Sequence, residues 1–312
     1  MQAFSCLMYH NVCHNGSLSE TAPEWSALSP SIRSYFVEES EFAFQLAAIH
    51  RCADLITLEQ VQNFFASPVP RQRELGLPDA RPSTLITFDD GWRGTLDLAV
   101  PILKKNAAQA TVFITTNLLD TPDFLRANEL HRLPSQLRIG SHCKTHRFLN
   151  EMSDTEVRDE LLFSKNELER LTGQEVTSVA IPNGAIDDRV RRIALELGYS
   201  LIFTSECHLN SRWTGAAHIG RMAIRSRTRP DVVCQFAEGN FGIDPIRCAL
   251  LSLPKRILGP QRYRQWRAWC LGEKSTDKEM HDLCPTQPMY HFNLADHQAS
   301  FENRDVEVTQ SY

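Results

Sequence analysis

Two acidic residues stand side by side at Asp89 and Asp90, just where the apolar run LITF ends and before Gly91. Adjacent residues at a strand end point in different directions, so one carboxylate is free to bind a cation while its neighbour faces a substrate. Asp-Asp-Gly is also ordinary turn chemistry, and the pair alone does not choose between the two. Further on, SHCKTH places His142 and His146 at the end of another apolar run. Imidazoles at that spacing converge on one ion if the loop is helical or tightly wound, and imidazole with carboxylate suits zinc or a similar transition metal. Asp90, His142 and His146 together offer two nitrogens and one oxygen, and leave a position for a water whose pKa a metal lowers towards about 7. A third histidine, His10, closes the opening stretch FSCLMYH. By itself it reads as readily as a capped core or surface histidine.

Strand ends are needed to carry such residues, and the chain supplies strands and helices in alternation. CLMYH, DLIT, STLITFDD, ATVFITT, LRIGSH, VTSVAIP, SLIFTS and HIGRMAI read as strands. Between them, EFAFQLAAIHRC puts Phe42, Leu46 and Ile49 on one helical face, and LEQVQNFF, TLDLAVPILKKN and DDRVRRIALELG read as further helices. The clearest helix is SDTEVRDELLFSKNELERLTG, with a Ser153/Glu156 capping box, Val157, Leu161, Leu168 and Leu171 on one face, and Gly173 at a left-handed cap. Asp187 is the N-cap of the helix that follows. Repeated β-α units with apolar strands imply a largely parallel sheet covered by helices. His10, Asp89, Asp90, His142 and Asn183 all fall at the C-terminal ends of strands, and in a β/α barrel those ends converge on one catalytic face, which favours a barrel.

Composition narrows the function classes. The chain has 312 residues, 42% of them hydrophobic, enough for a sizeable core. A net charge of −5 gives no general attraction to nucleic acid or to an anionic membrane. No run approaches the ~20 apolar residues of a membrane span, and the start lacks a basic segment followed by a signal-type apolar stretch, so a cytoplasmic location is expected. Nine singly scattered cysteines without a C-x-x-C pair read as free thiols in a reducing compartment. The division expected is a catalytic domain over 1–240 and a C-terminal extension over 241–312. In that extension PKRILGPQRYRQWRAW, with Trp266 and Trp269, reads as a basic amphipathic helix, and roughly the last thirty residues as poorly ordered.

LITFDDGW, IGSHCKTHRFL and VAIPNG, in this order, resemble the leading motifs of the polysaccharide deacetylases of the NodB-homology type, and the resemblance runs from Cys6 to about Ile224. LMYHNV, FAFQLAAI with LITLEQ, and IGRMAIR are similar to the branch associated with exopolysaccharide synthesis. The resemblance implies an α/β fold, a distorted (β/α) barrel of about seven strands with a C-terminal extension. It implies a metal-dependent hydrolase that removes N-acetyl groups from a GlcNAc-type amino-sugar polysaccharide, with exopolysaccharide synthesis partners and no nucleic acid. Asp90, His142 and His146 would hold one divalent ion, zinc first, with cobalt, nickel, iron and manganese as alternatives. Asp89 would be the general base for the attacking water. The metal and a backbone N–H near Asn183 would stabilise the oxyanion. The leaving amine also needs a proton, and in relatives of permuted motif order an N-terminal YH segment supplies the acid histidine. That assigns the role to His10, whose ordinary pKa near ~6.5 suits it.

Departures from the family pattern are specific. Cys143 and Arg147 stand where the family has a hydroxyl residue and a proline, and a thiol donates hydrogen bonds poorly. Cys143 could also be a soft extra ligand. The segment that normally orients the base reads AIPNG, with Ala180 in place of an arginine, so Arg221 in IGRMAI either reaches in to orient Asp89 or forms a surface ion pair. Trp92 either lines a sugar platform or packs in the core. Two other readings stay open: a catalytically weak carbohydrate-binding or scaffold protein, and a small-molecule amidase on the same fold.

Overall fold

The computed structural model of the chain describes residues 1–18, 25, 27–67, 81–242 and 278–289. Its strands are β1 Ala3–Tyr9, β2 Asn11–Cys13, β3 Phe36–Glu38, β4 Asp54–Ile56, β5 Ser83–Phe88, β6 Ala110–Ile114, β7 Leu137–Ser141, β8 Ser178–Ala180, β9 Leu201–Phe203, β10 Asn210–Ser211 and β11 Met222–Ala223. Among the helices are α1 Pro30–Arg33, α2 Glu39–Cys52, α3 Leu58–Ala66, α4 Val100–Lys105, α5 Asp154–Thr172, α6 Asp188–Glu196 and α7 Pro230–Ala237. Nine strands form a curled sheet: seven run in the order β10-β1-β5-β6-β7-β8-β9, parallel from β1 to β9 with β10 antiparallel on β1, while β4 pairs parallel with β5 and β11 with β1. One short segment touches both flanks of the curl: Ile219 bridges Phe203, and β11 pairs with Leu7 and Met8 of β1. The expected barrel-like α/β fold is the one observed.

Period-two alternation along the strands sorts the core. Leu7, Tyr9, Ile86, Phe88, Val112, Ile114, Val179 and Ile202 pack outward against helices, meeting Phe42, Leu46 and Ile49 of α2 and Val157, Leu161 and Leu168 of α5. The alternate residues Phe4, Cys6, Leu85, Phe113, Ala180, Leu201 and Phe203 pack with one another inside the curl. Each fully buried Leu or Phe contributes about 1.5–3 kcal/mol, so both faces stabilise the curl. The inward parity of β5 continues from Leu85 through Thr87 to Asp89, and that of β1 from Cys6 to His10. Gly140 on β7 is required, because a Cβ there would lie 2.5 Å from the Phe113 ring.

Helix ends follow the sequence signals. Ser153 and Glu156 form the capping box of α5, Gly173 closes it at φ 67°, and Asp187 caps α6. TLDLAVPILKKN differs from the continuous α-helix expected: Thr95–Ala99 is a π-helical turn before α4. Pro101 has no N–H for the carbonyl one turn back, and a wider turn takes up the mismatch.

One further expectation is corrected. Cys52 of α2 and Cys234 of α7 are disulfide-paired, with Cα atoms 6.2 Å apart, so the cysteines are not all free thiols. Within the C-terminal extension, Lys278 bridges Leu28, and Met280, in the short helix Met280–Leu283, is buried against a cluster containing Trp25, Trp92 and Phe124. The basic segment with Trp266 and Trp269 lies outside the described residues. No described helix is long and apolar enough to cross a membrane.

Candidate active site

Three loops at the C-terminal ends of β1, β5 and β7 build the site. Asp89 continues β5, and its N–H donates to Tyr9 O at 3.0 Å. The chain then turns sharply, with Asp90 at φ 72° and Gly91 at φ 86°. After β7, His142 is followed by Cys143 at φ 64° and by His146 at φ 58°. Non-glycine residues in the left-handed region cost on the order of 1–3 kcal/mol each, and such strain persists only where surrounding bonds over-determine it.

Those bonds are present. Thr116 N–H donates to Cys143 O at 3.1 Å and Asn117 N–H to Lys144 O at 3.0 Å, tying the loop after β6 to the histidine loop. Buried Glu160 on α5 accepts from Lys144 N at 2.9 Å, from Thr145 N at 2.8 Å and from the Thr145 hydroxyl. Cys143 N–H donates to Ser141 Oγ at 3.1 Å, so at this position the backbone and not the thiol supports the loop. Glu160 was not singled out from sequence. The available signal was an acid within the apolar stripe of α5, one turn from Val157 and Ser164.

Asp90 Oδ1 lies 3.5 Å from His142 Nε2 and 3.3 Å from His146 Nε2. His142 Nδ1 is 2.7 Å from Ala180 O, and since a carbonyl only accepts, Nδ1 carries the proton and Nε2 presents a lone pair towards Asp90. Asp90 Oδ2 accepts from Trp92 Nε1 at 2.9 Å, whereas Oδ1 is buried with no hydrogen-bond donor. A buried carboxylate oxygen facing an imidazole lone pair is unfavourable unless a cation lies between them. The three side chains therefore fit a divalent metal ion.

Burial pushes the His142 pKa down to about 4. It works the same way on His146, but the Asp90 carboxylate outweighs it and raises that pKa. Burial disfavours the charged form of Asp90 too, yet His146 and the other histidines hold it well below the usual carboxylate range.

Arg221 does not form a surface ion pair. It is buried, with Nη1 2.6 Å from Asp89 Oδ1, Nη2 2.8 Å from Oδ2, and Nε donating to Thr204 O at 3.0 Å. Against the effect of burial, Arg221 and His142 lower the Asp89 pKa and keep it ionised. The His10 ring lies on Tyr35 with centroids 4.5 Å apart, and its buried Nδ1 has no partner. Burial lowers the His10 pKa against the attraction of Asp90 and Asp89, so His10 shares the electrostatic field of the carboxylates. Asn183, at φ 56°, sits exposed in the turn after β8.

Trp92 is corrected from a sugar platform to a buried residue. It is 1% exposed, stacked on Phe124 at 4.2 Å and edge-on to Phe36 and Trp25, and it donates to Asp90. Cys143 is buried, and desolvation raises its pKa well above the ordinary thiol value. It remains a neutral thiol, which does not suit it as a ligand.

Residues 77–202 match the family model for polysaccharide deacetylase. The chain is similar to the Bacillus subtilis protein YxkH, 25% identical over 223 residues that cover 70% of each chain. It is also similar to the peptidoglycan-N-acetylglucosamine deacetylase of Bacillus cereus, 27% identical over 192 residues, 60% of this chain and 87% of that one. Its fold is that of the Streptococcus pyogenes deacetylase PplD, solved with acetate, with a TM-score of 0.62 and 23% identity over 76% of this chain and 98% of the other. The curled sheet and this sequence match define a polysaccharide deacetylase domain of the NodB-type fold, with the family match itself falling on residues 77–202.

Proposed function

We propose that this chain is a metal-dependent N-deacetylase of a GlcNAc-type amino-sugar polymer, acting in exopolysaccharide synthesis. The observation that carries this reading is the convergence on one face of the Asp90, His142 and His146 donor set with an ionised Asp89 beside it. A divalent ion, zinc by its donor set, would be held by Asp90, His142 and His146, and would polarise the amide carbonyl and acidify a water. Asp89 takes the proton of the attacking water. Its oxygens keep lone pairs beyond those used by the Arg221 fork, which fixes the carboxylate in place. The backbone N–H at Asn183 donates to the oxyanion of the tetrahedral intermediate. His10 then gives a proton to the amine nitrogen as the C–N bond breaks, releasing acetate and the free amino sugar.

The polymer is supported by the named substrate of the Bacillus cereus relative, and the exopolysaccharide role by the N-terminal YH and IGRMAIR segments. The test is acetate release from N-acetylglucosamine oligomers by metal-loaded protein, with metal content measured in parallel for wild type, Asp89→Asn and His10→Ala. Turnover by wild type that is lost in both variants while the metal stays bound is the expected result. One bound metal with no release from any N-acetylated glycan favours the binding or scaffold reading instead.

A further inference from the structure

The loop between β9 and β11 carries three metal-ligating side chains that the deacetylase site does not use. Glu206, His208 and His218 each bring one ligand atom within 4.8 Å of the others. His218 Nε2 lies 2.8 Å from Glu206 Oε2, and the two imidazole rings are 5.3 Å apart at 63°. This loop is held by its own bonds. Buried Asn210 accepts from Gly220 N at 2.8 Å and donates to Gly220 O at 2.9 Å, while Arg221 N–H donates to Glu206 O at 2.8 Å. Gly220 has to be glycine here, since a Cβ would lie 2.5 Å from His208 Cε1. His208 Nε2–H donates to His218 O at 3.2 Å, which leaves Nδ1 with the lone pair. Partial burial lowers the His208 pKa and so favours the neutral, ligating form.

We propose that Glu206, His208 and His218 form a second site for a divalent transition metal of the zinc class. Two imidazoles and one carboxylate are a donor set for that class, with the fourth position left to water. Glu206 is exposed, so this ion exchanges more readily than one held by the buried set Asp90, His142 and His146. The loop leads directly into Arg221, and its backbone bond from Arg221 to Glu206 places the second ion next to the residue that fixes Asp89.

Cobalt(II) and zinc titrations of the full chain, followed by calorimetry and by the visible cobalt spectrum, test the assignment. Wild type is expected to take two equivalents, Asp90→Ala/His142→Ala to keep the weaker one, and His208→Ala/His218→Ala to keep only the tighter one. Glu206→Gln, the milder change, should weaken the second equivalent by about 10- to 100-fold or more. A single equivalent in wild type, or a second equivalent that persists without both His208 and His218, overturns the proposal. Matching circular dichroism of variants and wild type shows that loss of a site is not loss of the fold.

Discussion

Arg221 holds Asp89 in a fork, with Nη1 2.6 Å from Oδ1 and Nη2 2.8 Å from Oδ2, and both side chains are buried. They are far apart in sequence, one directly after β5 and the other on the segment that stitches the flanks of the sheet. Removing one partner of such a pair leaves an unpaired buried charge and costs about 3–5 kcal/mol. Arg221→Met is therefore expected to lower the melting temperature and to push the Asp89 carboxyl towards its neutral form. Arg221→Lys should recover part of the stability but little of the activity, because an ammonium cannot make the two parallel bonds. Thermal melts with acetate-release kinetics on the three proteins check both statements.

His10 is held by stacking on Tyr35 and has no partner on Nδ1. Loss of a general acid typically costs 10²–10⁴-fold. His10→Ala should show a kcat decrease of about that size with metal content unchanged. A decrease confined to KM would place His10 in binding and remove it from proton transfer.

Glu160 gathers the backbone between His142 and His146, the proposed ligands, by accepting from Lys144 N and Thr145 N. Glu160→Ala should weaken metal binding by about 10- to 100-fold, as for other groups that orient ligands. Competition with a chromophoric chelator measures this directly, and an affinity equal to wild type would show that the strained loop is held without Glu160.

Acid should destabilise the metal-free protein before the site carboxylates Asp89 and Asp90, both held low, are protonated. His142, with its pKa pushed down to about 4, stays neutral in the fold, whereas the unfolded chain protonates it near about 6.5. Between those values the unfolded state binds more protons, so stability falls as pH falls, by about 3 kcal/mol at most for this residue. The lowered pKa of His10 acts in the same direction and the raised pKa of His146 in the opposite one. Melting temperatures recorded in chelator from pH 7 to pH 4 should decline. A flat profile would show that His146 balances the other two.

The short C-terminal helix supports the site from behind. Met280 is buried in the cluster that contains Trp92, and Trp92 donates to Asp90. Met280→Ala should destabilise the fold by about 2–5 kcal/mol through the cavity left there. It should also loosen metal binding, because the cluster that packs around the Trp92 ring loses one of its members. A stability loss without any change in metal affinity would confine Met280 to packing.

Sequence alone determined the local order of the chain. Capping signals at Ser153, Glu156, Gly173 and Asp187 act within one turn, and apolar periodicity reports which face of an element is buried, so the β-α alternation and the strand-end positions of Asp89, Asp90, His142 and His146 were legible. Tertiary structure alone decided which distant residues meet. Whether Arg221 reaches Asp89 depends on Ile219–Ala223 crossing between the flanks of the sheet, and whether Trp92 faces a sugar or the core depends on Phe36, Phe124 and Trp25 closing over it. The Cys52–Cys234 pairing and the grip of Glu160 on the histidine loop belong with these. Such contacts follow from the curl of the sheet and the packing of helices on it, which bring together residues whose sequence separation carries no periodic signal.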